Sequence, residues 1–96
     1  MVPGGLSEIK VVDDNIHNMI KTIDRNHKAI NALSECKWTA ISYKTQVVAG
    51  INYFVKVQIG DTDTYIHLRI FRNLNNTQII SNAQINKKLD DDILYF

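Results

Sequence analysis

A chain of 96 residues with 45% hydrophobic side chains closes one core and cannot be divided into two that would each be stable. Its 11 basic and 10 acidic residues nearly cancel to a formal +1, which excludes the broad positive field that captures nucleic acid or an anionic membrane. Cys36 is the only cysteine, which excludes an internal disulfide and a four-cysteine zinc site and fits a reducing compartment.

Residues 1–8, Met1-Val2-Pro3-Gly4-Gly5-Leu6-Ser7-Glu8, hold the only proline and two adjacent glycines and show no periodicity, so a mobile extended arm is expected. The arm has neither a basic n-region nor an apolar h-region, and no segment approaches the roughly 20 apolar residues of a membrane span. A soluble, cytosolic protein is expected.

From Asp13 to about Leu33, Ile16, Ile20, Ile23 and Ile30 fall on one stripe of an α-helix. His27 shares the stripe and Met19 flanks it. Asp13 and Asp14 mark the start, where short carboxylates cap the first amides and favour the positive end of the helix dipole.

After Cys36 the period becomes two. Trp38 to Val48 reads as a strand with Ile41, Tyr43, Thr45 and Val47 on one face. Ile51 to Ile59 is apolar at odd positions and mostly polar at even ones, the pattern of a half-buried strand. A third strand spans Thr64 to Arg72 with Ile66, Leu68 and Ile70 inward, and a fourth spans about Thr77 to Ile85. Turn signals separate them at Ala49-Gly50, at Gly60-Asp61-Thr62-Asp63 and at Asn73-Leu74-Asn75-Asn76. Such short links imply antiparallel neighbours, and a helix followed by a four-strand meander gives one α+β domain over residues 1–96. The final Ile93-Leu94-Tyr95-Phe96 is apolar enough to dock on that domain.

In Gln46-Val47-Val48-Ala49-Gly50 two valines and an alanine stand beside the bend, where polar residues are the rule. Periodicity leaves two readings open: ordinary core-facing strand residues, or an apolar tip awaiting a partner. Gly50 fits a bend that needs positive φ.

Gln46-Val47-Val48-Ala49-Gly50 resembles the QVVAG signature of the cystatins, inhibitors of papain-like cysteine proteases, and Asn52-Tyr53-Phe54-Val55-Lys56-Val57 resembles the strand that follows it. Val2-Pro3-Gly4-Gly5-Leu6-Ser7-Glu8, His67-Leu68-Arg69-Ile70-Phe71 and Tyr95-Phe96 are similar to the stefins, the intracellular branch of that family, so the likeness covers the whole chain. It implies one helix wrapped by a curved antiparallel sheet of four to five strands, with three segments forming a wedge at one end. The wedge would comprise Val2, Pro3 and Gly4 of the arm, Gln46, Val47, Val48, Ala49 and Gly50 of the first hairpin, and Leu74 and Asn75 of the second.

What the resemblance implies is reversible, competitive blocking of a protease cleft. The partners would be papain and cathepsin L-like enzymes, with cathepsin B-like enzymes bound more weakly because their extra loop occupies part of the groove. Val2 and Pro3 would fill apolar subsites, and the chain would turn away at Gly4 before any carbonyl meets the nucleophile. Affinity would come from preformed shape, with little salt dependence. The protein would be a monomer, with a domain-swapped dimer as its alternative state. This chain departs from the stefin pattern at Leu74-Asn75-Asn76, where proline usually follows the leucine, and a more mobile second hairpin is expected from its loss. Ile51 stands where threonine is usual and enlarges the apolar tip.

Other chemistries fit less well. Cys36 with His17, His27 or His67 has the residue types of a thiol enzyme, but a chain this short leaves little room for a cleft and an oxyanion hole, so no catalytic residue is expected. The histidines lack metal-ligand spacing, and Asp90-Asp91-Asp92 lacks the alternation and glycine of a calcium loop and reads as a solvated turn. No metal or cofactor is expected. A cystatin-like fold acting only as a binding scaffold is the competing function.

Overall fold

The computed structural model describes residues 5–96. The α-helix, α1, spans Asp14–Thr22, and its cap is Asp13, whose carboxylate accepts from the Ile16 amide at 3.1 Å. Ile16, Met19 and Ile20 face the core from one stripe. The helix is about half as long as the isoleucine spacing predicts, because Ile23 already turns to extended geometry (φ −65, ψ 142).

Local side-chain bonds account for that early stop. Asp24 accepts from the Asn26 amide and the His27 Nδ1 from the Ala29 amide, each offering the backbone a turn in place of a helical bond. Arg25 then lies over the Trp38 ring at 3.9 Å and donates to the carbonyls of Ser34 and Cys36, pinning the link. Ile23 and Ile30 still reach the core, but Ile30 does so from a turn that leads into a 3₁₀ segment, Asn31–Leu33. A spacing of seven thus matched two separately placed residues.

The strands are β1 (Lys10–Val11), β2 (Trp38–Val48), β3 (Gly50–Ile59), β4 (Tyr65–Arg72) and β5 (Gln78–Lys87), antiparallel and adjacent in chain order. The short β1, which residue alternation did not mark, is the fifth of the four to five strands that the resemblance implies. β2 carries a bulge between Ala40 and Ser42, so Trp38 and Ala40 share the core face with Tyr43 while Ile41 falls out of step. The expected face Ile41–Tyr43–Thr45–Val47 is corrected by that extra residue. Tyr53, Val55, Val57 and Ile59 of β3 and Ile66, Leu68 and Ile70 of β4 complete a core under α1. Among the described residues, register shifts interrupt β2–β3 once and β4–β5 twice, and such irregularities bend a sheet, here around the helix.

β3 differs from the expected half-buried strand: its even positions Asn52, Phe54 and Lys56 are buried as well. The C-terminal residues 88–96 cross the outer face as a strap. Phe54 meets the Tyr95 ring in a tilted contact and the Phe96 ring edge-on, with centroids 5.8 and 5.5 Å away, and Arg69 Nη1 donates to the Phe96 carbonyl at 2.9 Å. The Lys56 ammonium donates to the carbonyls of Leu89 and Asp91. Burial lowers the Lys56 pKa, and Asp91, Asp90 and Asp92 act in the opposite direction. The acidic run is therefore part of a lysine-held strap, with Asp91 Oδ2 closing its turn onto the Lys88 amide.

Candidate functional site

One end of the sheet gathers two hairpins. In the first, Val48 pairs with Gly50, leaving Ala49 alone at the bend. Gly50 adopts φ +121, and a Cβ there would sit 2.4 Å from the Arg72 carbonyl and 3.0 Å from the Phe71 ring. Only glycine permits both the bend and this approach of β4. Val47 and Val48 are 52% and 42% exposed and Ala49 is exposed, which decides between the two readings of the valines in favour of an apolar tip.

Gln46 and Asn52 do not share that exposure. They face each other across β2 and β3, both buried, with Asn52 Nδ2 donating to Gln46 Oε1 at 2.8 Å. The buried amide pair locks the strands two residues below the bend. Gln46 and Gly50 thus shape the tip, and Val47, Val48 and Ala49 form its surface.

The second hairpin, residues 73–77, is ordered without proline. Asn73 Oδ1 accepts from the amides of Asn75 (2.9 Å) and Thr77 (3.0 Å), and the Asn73 carbonyl accepts from the Asn76 amide at 3.0 Å. Asn76 takes φ 64, a left-handed conformation that asparagine tolerates. Leu74 projects at the tip, 82% exposed, with Asn75 exposed beside it. The Asn73 carboxamide, a turn signal legible in the sequence, closes this turn in the absence of proline.

Pairing of Ile51 with Arg72 brings the two hairpins side by side, and a notch between them is lined by Val47, Val48, Ile51, Arg72 and Leu74. Ile51, expected to enlarge the apolar tip, is half-buried in this notch, and Arg72 lines it without having been singled out in the sequence.

At the other edge, the Ser7 amide donates to the Thr45 carbonyl at 2.8 Å and the Thr45 amide donates to Ser7 Oγ at 2.9 Å. With Lys10 opposite Tyr43, this antiparallel register carries the chain, read backwards from β1, toward the first hairpin. Val2, Pro3 and Gly4 lie outside the described residues.

The groups of the rival chemistries are dispersed. Cys36 packs against the core on the helix side, whereas His67 is fully buried on the opposite face of β4. Neither ring nitrogen of His67 has a partner among the described residues, and burial, reinforced by Lys56 and Lys87, lowers its pKa to about 4. Among the described residues no cluster of three or more histidine, cysteine or acidic side chains could hold a metal, and no helix is long and apolar enough to cross a membrane.

Residues 4–90 match the Cystatin domain. The chain is 40% identical to Cystatin-A of Bos taurus and 36% identical to Cystatin-A of Homo sapiens, in both cases over the full length of both proteins. It is 50% identical to Cystatin-B of Homo sapiens over 60 residues, which cover 59% of this chain and 60% of that relative.

Proposed function

The chain belongs to the cystatin family, and from that premise we propose that it is a reversible, competitive inhibitor of papain-like cysteine proteases and not itself an enzyme. The observation that carries this reading is the apolar blade at one end of the sheet. Val47, Val48, Ala49 and Leu74 stand exposed together on a rigid base, with the N-terminal segment led toward the same end.

Apolar area of this kind contributes about 25 cal/mol per Å² when a cleft covers it. The Gln46–Asn52 amide pair and the Asn73 carboxamide hold both tips in place before binding, so little further order is lost on association. The arm residues Val2 and Pro3 occupy apolar subsites on the acyl side and the chain turns at Gly4, while the hairpins fill the leaving-group side. No peptide bond is presented to the nucleophile, so the complex is not consumed. Open clefts such as those of papain and cathepsin L-like enzymes admit the whole blade, and a partly occluded cleft of the cathepsin B kind binds it less. A cytosolic setting belongs to the same reading and suits the unpaired Cys36. The monomer is the inhibitory form: exchange through the first hairpin would straighten the Ala49 bend and remove the tip.

The turn bonds that Asn73 gives the second hairpin support inhibition over a non-inhibitory scaffold. Titration of an active-site-counted papain-like protease tests the proposal. Stoichiometric loss of activity is expected, restored on dilution and abolished by Val48→Asp without a fall in Tm. Full protease activity at micromolar wild-type protein refutes it.

A further inference from the structure

Arg72 is the only charged residue among those lining the notch between the hairpins. Neither Gln46-Val47-Val48-Ala49-Gly50-Ile51 nor Asn73-Leu74-Asn75-Asn76-Thr77 contains an ionisable side chain. The guanidinium is braced rather than free: Nη1 donates to the Tyr53 hydroxyl at 3.2 Å and the group lies 5.1 Å from the Tyr53 ring, which is itself buried. Its donor capacity is nevertheless underused. The Nη1 bond is long, and the buried Nε has no acceptor among the described residues.

A partly buried cation with unmet donors is costly alone and favourable once a carboxylate reaches it, and an arginine fork suits a carboxylate in particular. Val47, Ile51 and Leu74 around it exclude water when the notch is covered, which strengthens the attraction. We propose that Arg72 is a specificity determinant of the inhibitory surface, selecting proteases that bring an aspartate or glutamate into the notch from the leaving-group rim of the cleft. This inference rests on the proposed inhibition and adds to a shape-driven contact one local ionic pair. Because Tyr53 holds the guanidinium in place beforehand, little side-chain entropy opposes the pairing.

The test is a double-mutant cycle. Arg72→Gln is measured against one papain-like protease and against variants of it in which each rim aspartate and glutamate is changed singly to its amide, and Val48→Asp serves as the reference for loss of the blade. The expected result is about tenfold coupling between Arg72 and one rim carboxylate, reduced in high salt, with the remaining amide variants additive. Additivity with every carboxylate overturns the inference. If Val48→Asp abolishes inhibition while Arg72 shows no coupling, the specificity role fails and the inhibitory reading stands; if wild-type protein fails to inhibit, both fall. Since the cycle compares affinities of the same Arg72→Gln protein, any loss of its stability cancels.

Discussion

Lowering the pH from 7.5 to 4 should destabilise this protein through His67 in particular. The imidazole is fully buried on the strap side of β4, opposite Lys56 of β3 and Gln84 of β5, with both nitrogens unpartnered among the described residues. Its pKa falls from the ordinary 6.5 to about 4, chiefly because burial disfavours the charged form, with Lys56 and Lys87 adding repulsion against a smaller opposing effect of Asp91. The unfolded chain therefore takes up a proton near pH 6.5 that the folded chain refuses until about pH 4. Stability contributed by the neutral ring is complete above pH 6.5, declines as the pH falls toward 4, and declines no further once both states are protonated. Each pH unit in that window costs ~1.4 kcal/mol, so the descent removes ~3 kcal/mol, a sizeable part of the 5–15 kcal/mol usual for a domain.

His67→Leu isolates the effect, because carboxylates that titrate in the same range are common to both proteins. Leucine leaves no unpartnered nitrogen, so the variant should match or exceed the wild type at pH 7.5. Urea unfolding followed through Trp38, the only tryptophan, reads both curves. The two should diverge by ~3 kcal/mol between pH 7 and pH 4. Parallel pH profiles would refute the argument, since they would mean that the buried ring titrates alike in folded and unfolded chains.

The hairpins offer two further tests. Gly50→Ala places a Cβ 2.4 Å from the Arg72 carbonyl at φ +121, so it should cost ~2–3 kcal/mol in denaturant unfolding and abolish inhibition by parting β3 from β4; a change below ~0.5 kcal/mol would contradict the contact. Asn73→Ala removes the acceptor for two amides and should speed hydrogen exchange at Asn75 and Thr77 and weaken protease binding, with a stability loss of only ~1 kcal/mol; unchanged exchange would show that the loop holds itself without the carboxamide.

Much of the architecture was legible because it depends on local alternation and turn chemistry. β2 was bounded correctly at Trp38 and Val48, β3 and β4 to within a residue, and the α+β arrangement followed from short connections. The helix end at Thr22 was not legible, since Ile23 and Ile30 keep a helical spacing while Arg25 ties the intervening chain to carbonyls of Ser34 and Cys36. Which face of each strand is covered was also hidden. The polar look of Asn52 and Lys56 predicts a solvated face, yet contacts from elsewhere in the chain make it a second interior: Gln46 pairs with Asn52, and the strap of residues 88–96 meets Phe54 and holds Lys56.

The candidate site divides in the same way. Residue order alone identifies the apolar bend, the need for glycine at Gly50 and the chemistry of the two hairpins, because these are properties of a few adjacent residues. Tertiary structure decides that Val47 and Val48 face outward, that Gln46 turns inward to Asn52, and that Arg72 stands between the tips. Those outcomes depend on strand register and on contacts between residues far apart in the chain, where a shift of one position exchanges the buried face for the exposed one.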